Sequence, residues 1–261
     1  MIAIQHRLRR VERGFTLIEL MVAVTIGLLL TVVVANLFLG SRATYQTTDE
    51  VSRMQENIRF AYQLLSRTIH VAGYRSSPNT YAIDVPGIAG VFSGANVALL
   101  GTEGGGTVPD SFTVRYHGSG NAAGTPDGSI VDCTGAEIDA GVITTNTFTI
   151  AAGANGGNAL FCNNGAAVEV VPDVENMQIL YGEDINGDLV ADRYVAAANV
   201  ADFNAVVTLR ISLLFRTPNM PASVLPDTTT YDLNGTVVGP FNDTRIRRVF
   251  TLNMNLRNRT P

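Results

Sequence analysis

Arg13-Gly14-Phe15-Thr16-Leu17-Ile18-Glu19, continued by an apolar run to Gly40, is the stretch from which the rest of the chain is read. Between Phe15 and Gly40 the single ionisable residue is Glu19. A helix needs ~20 consecutive apolar residues to cross the hydrocarbon core of a bilayer, and this run supplies them. A carboxylate near the centre of such a helix costs on the order of 2.5–3.5 kcal/mol, less near its end. A chain that keeps Glu19 there needs a partner for it, and the run itself contains no cation. Arg7, Arg9, Arg10 and Arg13 all precede the run, so the positive-inside rule keeps the N-terminus cytoplasmic and sends the remainder outward.

An ordinary secretory signal has a shorter apolar region that ends at a small-residue cleavage site. The end of this run, Val34-Ala35-Asn36-Leu37-Phe38-Leu39-Gly40, shows no such site, whereas Gly14 stands before the run. Two readings are left: an uncleaved anchor, or a leader cut on the cytoplasmic side after Gly14. Gly14-Phe15-Thr16-Leu17-Ile18-Glu19 resembles the leader junction of type IV pilins and of the related pseudopilins of type II secretion. The resemblance implies that a prepilin peptidase cuts between Gly14 and Phe15 and methylates the new terminus at Phe15. It also implies that Glu19 neutralises the terminal amine of a neighbouring subunit during assembly. That is the kind of partner a carboxylate in lipid requires.

The chain has 261 residues, enough for one large or two small domains. All 18 basic residues are arginine, and the formal net charge is −5. Residues 1–14 are locally basic, so the part beyond them is more acidic than the total suggests. An acidic exported part lacks the basic footprint of a general nucleic-acid binder. Cys133 and Cys162 are the only cysteines. An even count in an exported region fits one disulfide in an oxidising compartment such as a periplasm, worth roughly 3–4 kcal/mol in the chain-entropy model.

Beyond Ser41 the polarity rises while a helical period persists. Val51, Met54, Ile58, Ala61, Leu65, Ile69 and Ala72 fall at alternating spacings of three and four, forming one seam of an amphipathic helix. The first proline is Pro78, and Gly73 followed by Tyr74 predicts the stop. Gly27, Asn36 and Gly40 are the positions at which such a helix is weakest. The stretch from Glu56 to Arg75, with Asn57, Arg59, Leu64-Leu65 and Ala72-Gly73-Tyr74, is similar to the helix end of PilW-type minor pilins. This second resemblance implies a minor rather than a major pilin.

The remainder reads as strands. Phe112, Val114 and Tyr116 alternate with polar residues, as do Phe148 and Ile150, Val168 and Val170, and Met177, Ile179 and Tyr181. Val207, Leu209, Ile211, Leu213 and Phe215 form the clearest run, and Phe250, Leu252, Met254 and Leu256 close the chain. Period-two alternation predicts antiparallel strands with one covered face. The expected fold is therefore α+β and type IV pilin-like: a long N-terminal helix, first transmembrane and then amphipathic, packed on a β-rich antiparallel head. The expected divisions are a cleaved leader at 1–14, a transmembrane or filament-core helix at 15–40, an amphipathic helix at 41–72 and a periplasmic head at 73–261. Gly104-Gly105-Gly106 and Gly118-Ser119-Gly120 lack the lysine and the strand-to-helix context of a phosphate loop, and read as surface loops.

Asp184, Asn186, Asp188 and Asp192 occupy positions one, three, five and nine of an EF-type calcium loop. The glycine, Gly187, stands at the fourth position, and Val195 takes the place of the bidentate glutamate. The plainer reading is a hairpin whose Asn186-Gly187 turn joins the Met177–Tyr181 strand to Leu189–Val195. No cofactor is required by either reading, and calcium is the one ion the pattern offers. The histidines are His6, His70 and His117, with no nucleophile elbow or zinc spacing, so no enzyme is expected. His117 near Asp110-Ser111 reads as a solvent-facing strand residue.

The resemblances imply a subunit that primes type IV pilus assembly and sits at or near the tip, with roles in twitching motility and cell adhesion. The implied partners are the prepilin peptidase, other minor pilins, the major pilin, the inner-membrane assembly platform and a tip adhesin. The implied location is the bacterial inner membrane as a single span, then the pilus. Two alternatives share the leader: a pseudopilin at a type II secretion pseudopilus tip, and a competence-type pilin that grips DNA through Arg245, Arg247 and Arg248.

Overall fold

The computed structural model describes residues 14–76, 97–121, 123–218 and 225–258. The basic leader residues Arg7, Arg9, Arg10 and Arg13 lie outside the described residues, as does His6. The chain divides into two units, Met1–Gln46 and Thr47–Pro261.

Helix α1 spans Leu17–His70 and is helical throughout, including at Gly27, Asn36 and Gly40. In the first unit its threonines bond back to the helix. Thr25 Oγ1 donates to the Val22 carbonyl and Thr31 Oγ1 to that of Gly27, which removes two hydroxyls from an apolar surround. From Leu17 to Leu39 its large apolar side chains are all exposed.

In the second unit the seam is buried as Met54, Ala61, Leu64, Leu65, Thr68 and Ile69. Helical order ends at His70, two residues before the expected Ala72. The terminating device is Gly73, with φ +75°, whose N–H donates to the Arg115 carbonyl at 2.9 Å. A Cβ at Gly73 would meet the Asn258 carbonyl oxygen at 2.8 Å, so glycine is required for space as well as conformation. Asn258 Nδ2 donates to the His70 carbonyl, and the end of the chain thereby caps the end of the helix.

Every strand pairing in the head's sheets is antiparallel. Strands β1 (Leu99–Thr102), β2 (Ser111–His117), β3 (Ile143–Ala152), β4 (Asn158–Asn163) and β5 (Ala167–Val171) form a five-stranded sheet in sequence order. Strands β6 (Val174–Glu183), β7 (Arg193–Val195), β8 (Val206–Arg216) and β11 (Arg247–Asn255) form a second sheet in the order β11-β8-β6-β7. Between β8 and β11 in the sequence, β9 (Tyr231–Leu233) and β10 (Thr236–Val238) make a separate hairpin.

One apolar cluster joins the helix seam to Phe112, Phe148, Leu160, Met177, Ile179, Ile211 and Leu252. Phe112 and Phe148 stack with centroids 5.0 Å apart. Each leucine or isoleucine fully buried there contributes about 1.5–3 kcal/mol. The fold is the expected α+β arrangement, but β8 is covered on both faces rather than one. Its outward Leu214 packs with Leu233 and Val238 of the small hairpin. Val168, expected to be covered, is exposed on edge strand β5, next to a register shift at Leu160/Phe161.

Candidate functional site

The start of α1 is built by its own sequence. Gly14, Phe15 and Thr16 are non-helical, and Thr16 occupies the N-cap. Glu19 N–H donates to Thr16 Oγ1 at 3.2 Å, and Thr16 N–H donates to Glu19 Oε2 at 2.9 Å. Thr16 Oγ1 also donates to the same carboxylate oxygen at 3.0 Å. This reciprocal arrangement is a capping box, in which residue N3 returns the bond it receives from the cap. It holds the Glu19 carboxylate beside the Phe15-Thr16 peptide, where the terminus would lie after a cut following Gly14. A Cβ added at Gly14 would meet nothing within 4 Å, and the same holds at Gly27 and Gly40. Among the described residues, packing therefore places no demand for glycine at position 14.

Cys133 and Cys162 are bonded, and both are buried. The bond ties the segment after β2 to β4. Asn146 Oδ1 accepts from the Cys133 N–H, Tyr116 Oη donates to the Val131 carbonyl, and Arg67 of α1 donates to the Asp132 carbonyl at 3.1 Å. Asn164 donates a short bond to the Asp132 carboxylate. Gly118-Ser119-Gly120, expected as a free surface loop, belongs to this compact region. Ser119 is buried against Asp127 and Ser129, and a Cβ at Gly118 would strike the Ile138 and Asp139 carbonyl oxygens. The side-chain bond from Ser119 and two bonds from Ser129 hold the Asp127 carboxyl at about 2.

The 184–192 connection differs from the expected two-residue hairpin. Strand β7 begins at Arg193 rather than Leu189, and the β6–β7 pairing closes at Glu183↔Arg193. Nine residues form the loop because their polar side chains bind the loop backbone before any ladder forms. Asp184 accepts from the Gly187 and Leu189 N–H groups at 2.6 and 2.9 Å. Asn186 Oδ1 accepts from Asp188 N–H, Asp188 Oδ1 from Val190 N–H and Asp192 Oδ2 from Ile185 N–H. Asn186 Nδ2 points between Asp188 Oδ2 and Asp192 Oδ1, at 3.2 and 3.3 Å. The four residues of the calcium pattern thus lie together, with carboxylate oxygens engaged by amides. Among the described residues no group of three or more His, Cys, Asp or Glu side chains converges as a metal site.

The arginine patch does not exist as a surface. Arg247 is buried, and its guanidinium bonds Glu175 Oε1 and Oε2 at 3.0 and 2.5 Å and both Asp243 oxygens at 2.6 and 2.7 Å. It lies 3.9 Å from the centroid of the Phe241 ring. Arg245 lies 3.9 Å from Asp243, which leaves Arg248 as the exposed member. A charge that is neutralised inside the head offers nothing to a phosphate backbone.

His117 is also placed differently from expectation. It is 4% exposed, and burial together with the Arg75 and Arg115 charges lowers its pKa. Asp110 sits at the other end of β2 and accepts from the Gly104 and Ile179 N–H groups, so the two form no catalytic pair. A groove of about 380 Å³ lined by Ile143, Thr144, Thr145, Thr147, Asn163, Asn164 and Gly165 contains no titratable side chain.

Two family models match the sequence. One, described as type IV pilus-assembly protein W, matches residues 147–258. The other, the prokaryotic N-terminal methylation motif, matches residues 9–35. Among solved structures, the chain is similar to a type IV-like pilin from Thermus thermophilus. The two are 16% identical, with 82% of this chain and 97% of that one covered at a TM-score of 0.45. Comparison with curated proteins gives no match.

Proposed function

This chain is a PilW-type minor pilin of the type IV class, and we propose that it primes pilus assembly and sits at or near the pilus tip. The proposal begins with processing: residues 1–14 are removed by the prepilin peptidase, and Phe15 becomes the methylated terminus. Residues 15–40 anchor the subunit in the inner membrane as a single span, with the head in the periplasm, and later pack in the filament core. Residues 41–72 carry the amphipathic helix, and residues 73–261 form the head. Assembly platform, major pilin, other minor pilins and a tip adhesin are the partners of that sequence of events.

The observation that carries this reading is the exposed apolar surface of α1 from Leu17 to Leu39. A surface of that length is unstable in water and is suited to lipid or to other apolar helices. The capping box supports the role given to Glu19. It fixes the carboxylate at the first turn, where a neighbour's terminal amine can replace the lipid-exposed side of the charge. That none of the described residues crowds Gly14 supports a requirement imposed by the peptidase. The role is structural rather than catalytic.

Deletion of the gene tests the reading: loss of surface pili and twitching is expected, and a normally piliated mutant overturns it. Loss of exoprotein secretion with intact pili would assign the chain to a secretion pseudopilus instead. Gly14→Ala is expected to leave the leader attached, as read by intact mass, and to keep the subunit out of sheared pili. Because the sequence contains no lysine, an amine-selective label reports the chain terminus alone.

A further inference from the structure

In the 184–192 loop Asp184 is buried, and Asp184, Asp188 and Asp192 accept from backbone N–H groups of the loop, while Ile185, Leu189 and Val190 stand outward, 65%, 66% and 62% exposed. Leu189 has φ +64°, a left-handed conformation that a γ-branched side chain adopts at a cost. The bonds from Asp184 to Gly187 and Leu189 hold it there. The base is equally fixed: Glu183 is buried, accepts from Arg193 Nε at 2.8 Å and from the Ala201 N–H at 2.9 Å. A nine-residue loop has been given a hydrogen-bonded frame that leaves three aliphatic side chains exposed.

We infer that this loop is the head's docking tip for a neighbouring pilin head, seating Ile185, Leu189 and Val190 in an apolar depression with a basic rim. The inference rests on the minor-pilin reading above. Charge selects the occupant. Exposed Asp188 and Asp192 are interspersed with the aliphatic residues along the loop and give it an acidic rim, and the loop has no basic residue. An anionic lipid surface is repelled by such a rim, whereas arginines on a protein partner complement it. Pre-organisation explains the expenditure on internal bonds, since a tip ordered before binding loses less entropy on docking. Three side chains are far less than the ~800 Å² each partner contributes to a stable interface, so the tip is the anchor of a larger contact.

The test uses the full-length chain in its native membrane. With p-benzoylphenylalanine at position 189, irradiation should link the chain to a minor pilin encoded beside it. The same probe at position 237, where Val237 is an isolated exposed apolar residue on β10, should not. Combined Ile185→Asn, Leu189→Asn and Val190→Thr should lower retention of the neighbouring minor pilins on the detergent-solubilised chain by tenfold or more, with an unchanged thermal midpoint. Leu189→Gly should reduce retention several-fold while raising or preserving that midpoint, because it removes both the anchor and the strain. Undiminished retention by the triple variant overturns the inference and leaves the minor-pilin reading intact. Adducts to lipid or to a second copy of this chain also overturn it. A wild-type chain that retains no minor pilin overturns both readings.

Discussion

Leu29 and Leu65 belong to the same uninterrupted helix, yet one is 69% exposed and the other 0%. The difference separates two kinds of unfinished business. The turns from Thr47 onward find their cover in the head's two sheets, whereas those before it present leucine, isoleucine and valine outward around the whole circumference. A helix that is apolar all round belongs in a membrane or a core, and one with a stripe belongs on a surface. The second half of α1 therefore answers to this chain, and the first half presents a surface suited to lipid or to other apolar helices. Leu65→Ala should cost about 2–5 kcal/mol of head stability, a large fall in the thermal midpoint. Leu29→Ala should change it by less than about 0.5 kcal/mol, as for other exposed positions. Equal losses from both would break the contrast.

The capping box sits at the far end of the outward-facing half and sharpens the same division. Thr16→Ala removes the cap, an effect of about 1 kcal/mol on the first turn, without touching the head's midpoint. Glu19→Ala loses both the returned bond and the charge, and should leave leader removal intact while lowering the amount of subunit in sheared pili. Glu19→Gln keeps an acceptor for the Thr16 N–H and loses only the charge. Both Glu19 variants should fall alike in an immunoblot of the sheared fraction. Normal incorporation of the glutamine variant would assign the residue's role to capping rather than to a neighbour's amine.

Both halves of α1 are legible in the sequence because periodicity and an apolar run report directly on what a helix face meets. Strand interiors with strict alternation, such as β2, β6, β8 and β11, are legible for the same reason. Two of the four Asn-Gly dipeptides show where that legibility stops. Asn234-Gly235 is the true two-residue turn, with φ of +56° and +96° and Leu233↔Thr236 paired beside it. Its signal was present, flanked by Tyr231, Leu233, Thr236 and Val238, and it is the strongest short hairpin cue a sequence offers. Asn186-Gly187 carries the same dipeptide but lies among aspartates that compete for the backbone N–H groups. Strand β1 was hidden because Leu99–Thr102 has too few residues to show a period, and β4 because Ala159-Leu160-Phe161-Cys162 is a continuous apolar run that does not alternate. Asp243 stands four residues before Arg247, but a nearby carboxylate does not signal burial. Another partner, Glu175, lies 72 residues away.

That buried arginine offers a smaller test of what the chain supplies for itself. The bonds from Arg247, then those from the Arg245 N–H, hold the Asp243 carboxyl at about 2, against an ordinary 3.8. A depressed folded-state value means that its stabilising contribution is complete above pH ~3.8 and is lost as the pH falls toward 2. Asp110 and Asp173 shift upward through burial and run the opposite way, easing as they take up protons. The thermal midpoint should therefore hold through mildly acidic pH and drop below about 3.8. Asp243→Asn should flatten that drop. An unchanged slope in the variant would remove Asp243 from the acid transition.

The smallest expected effect is at the 184–192 loop, where the same question is put to an ion. Calcium takes six to eight oxygen ligands, and its loops use it to gather carboxylates that repel one another. Here the gathering is done by N–H groups: those of Ile185, Gly187, Leu189 and Val190 reach the three aspartates, and the Asn186 amide nitrogen faces Asp188 and Asp192. For calcium to enter, Asn186 would have to turn its oxygen inward and several of those N–H bonds would have to lengthen. The ion's gain is offset by what it displaces. Exchange between EGTA and millimolar calcium should thus move the midpoint by less than about 1 °C, well under 1 kcal/mol for a chain of this size. A bound ion at 100 times its Kd would instead add about 2.7 kcal/mol. A rise of that order, abolished by Asp188→Asn, would show that the loop depends on an outside partner after all, as is proposed for the first half of α1.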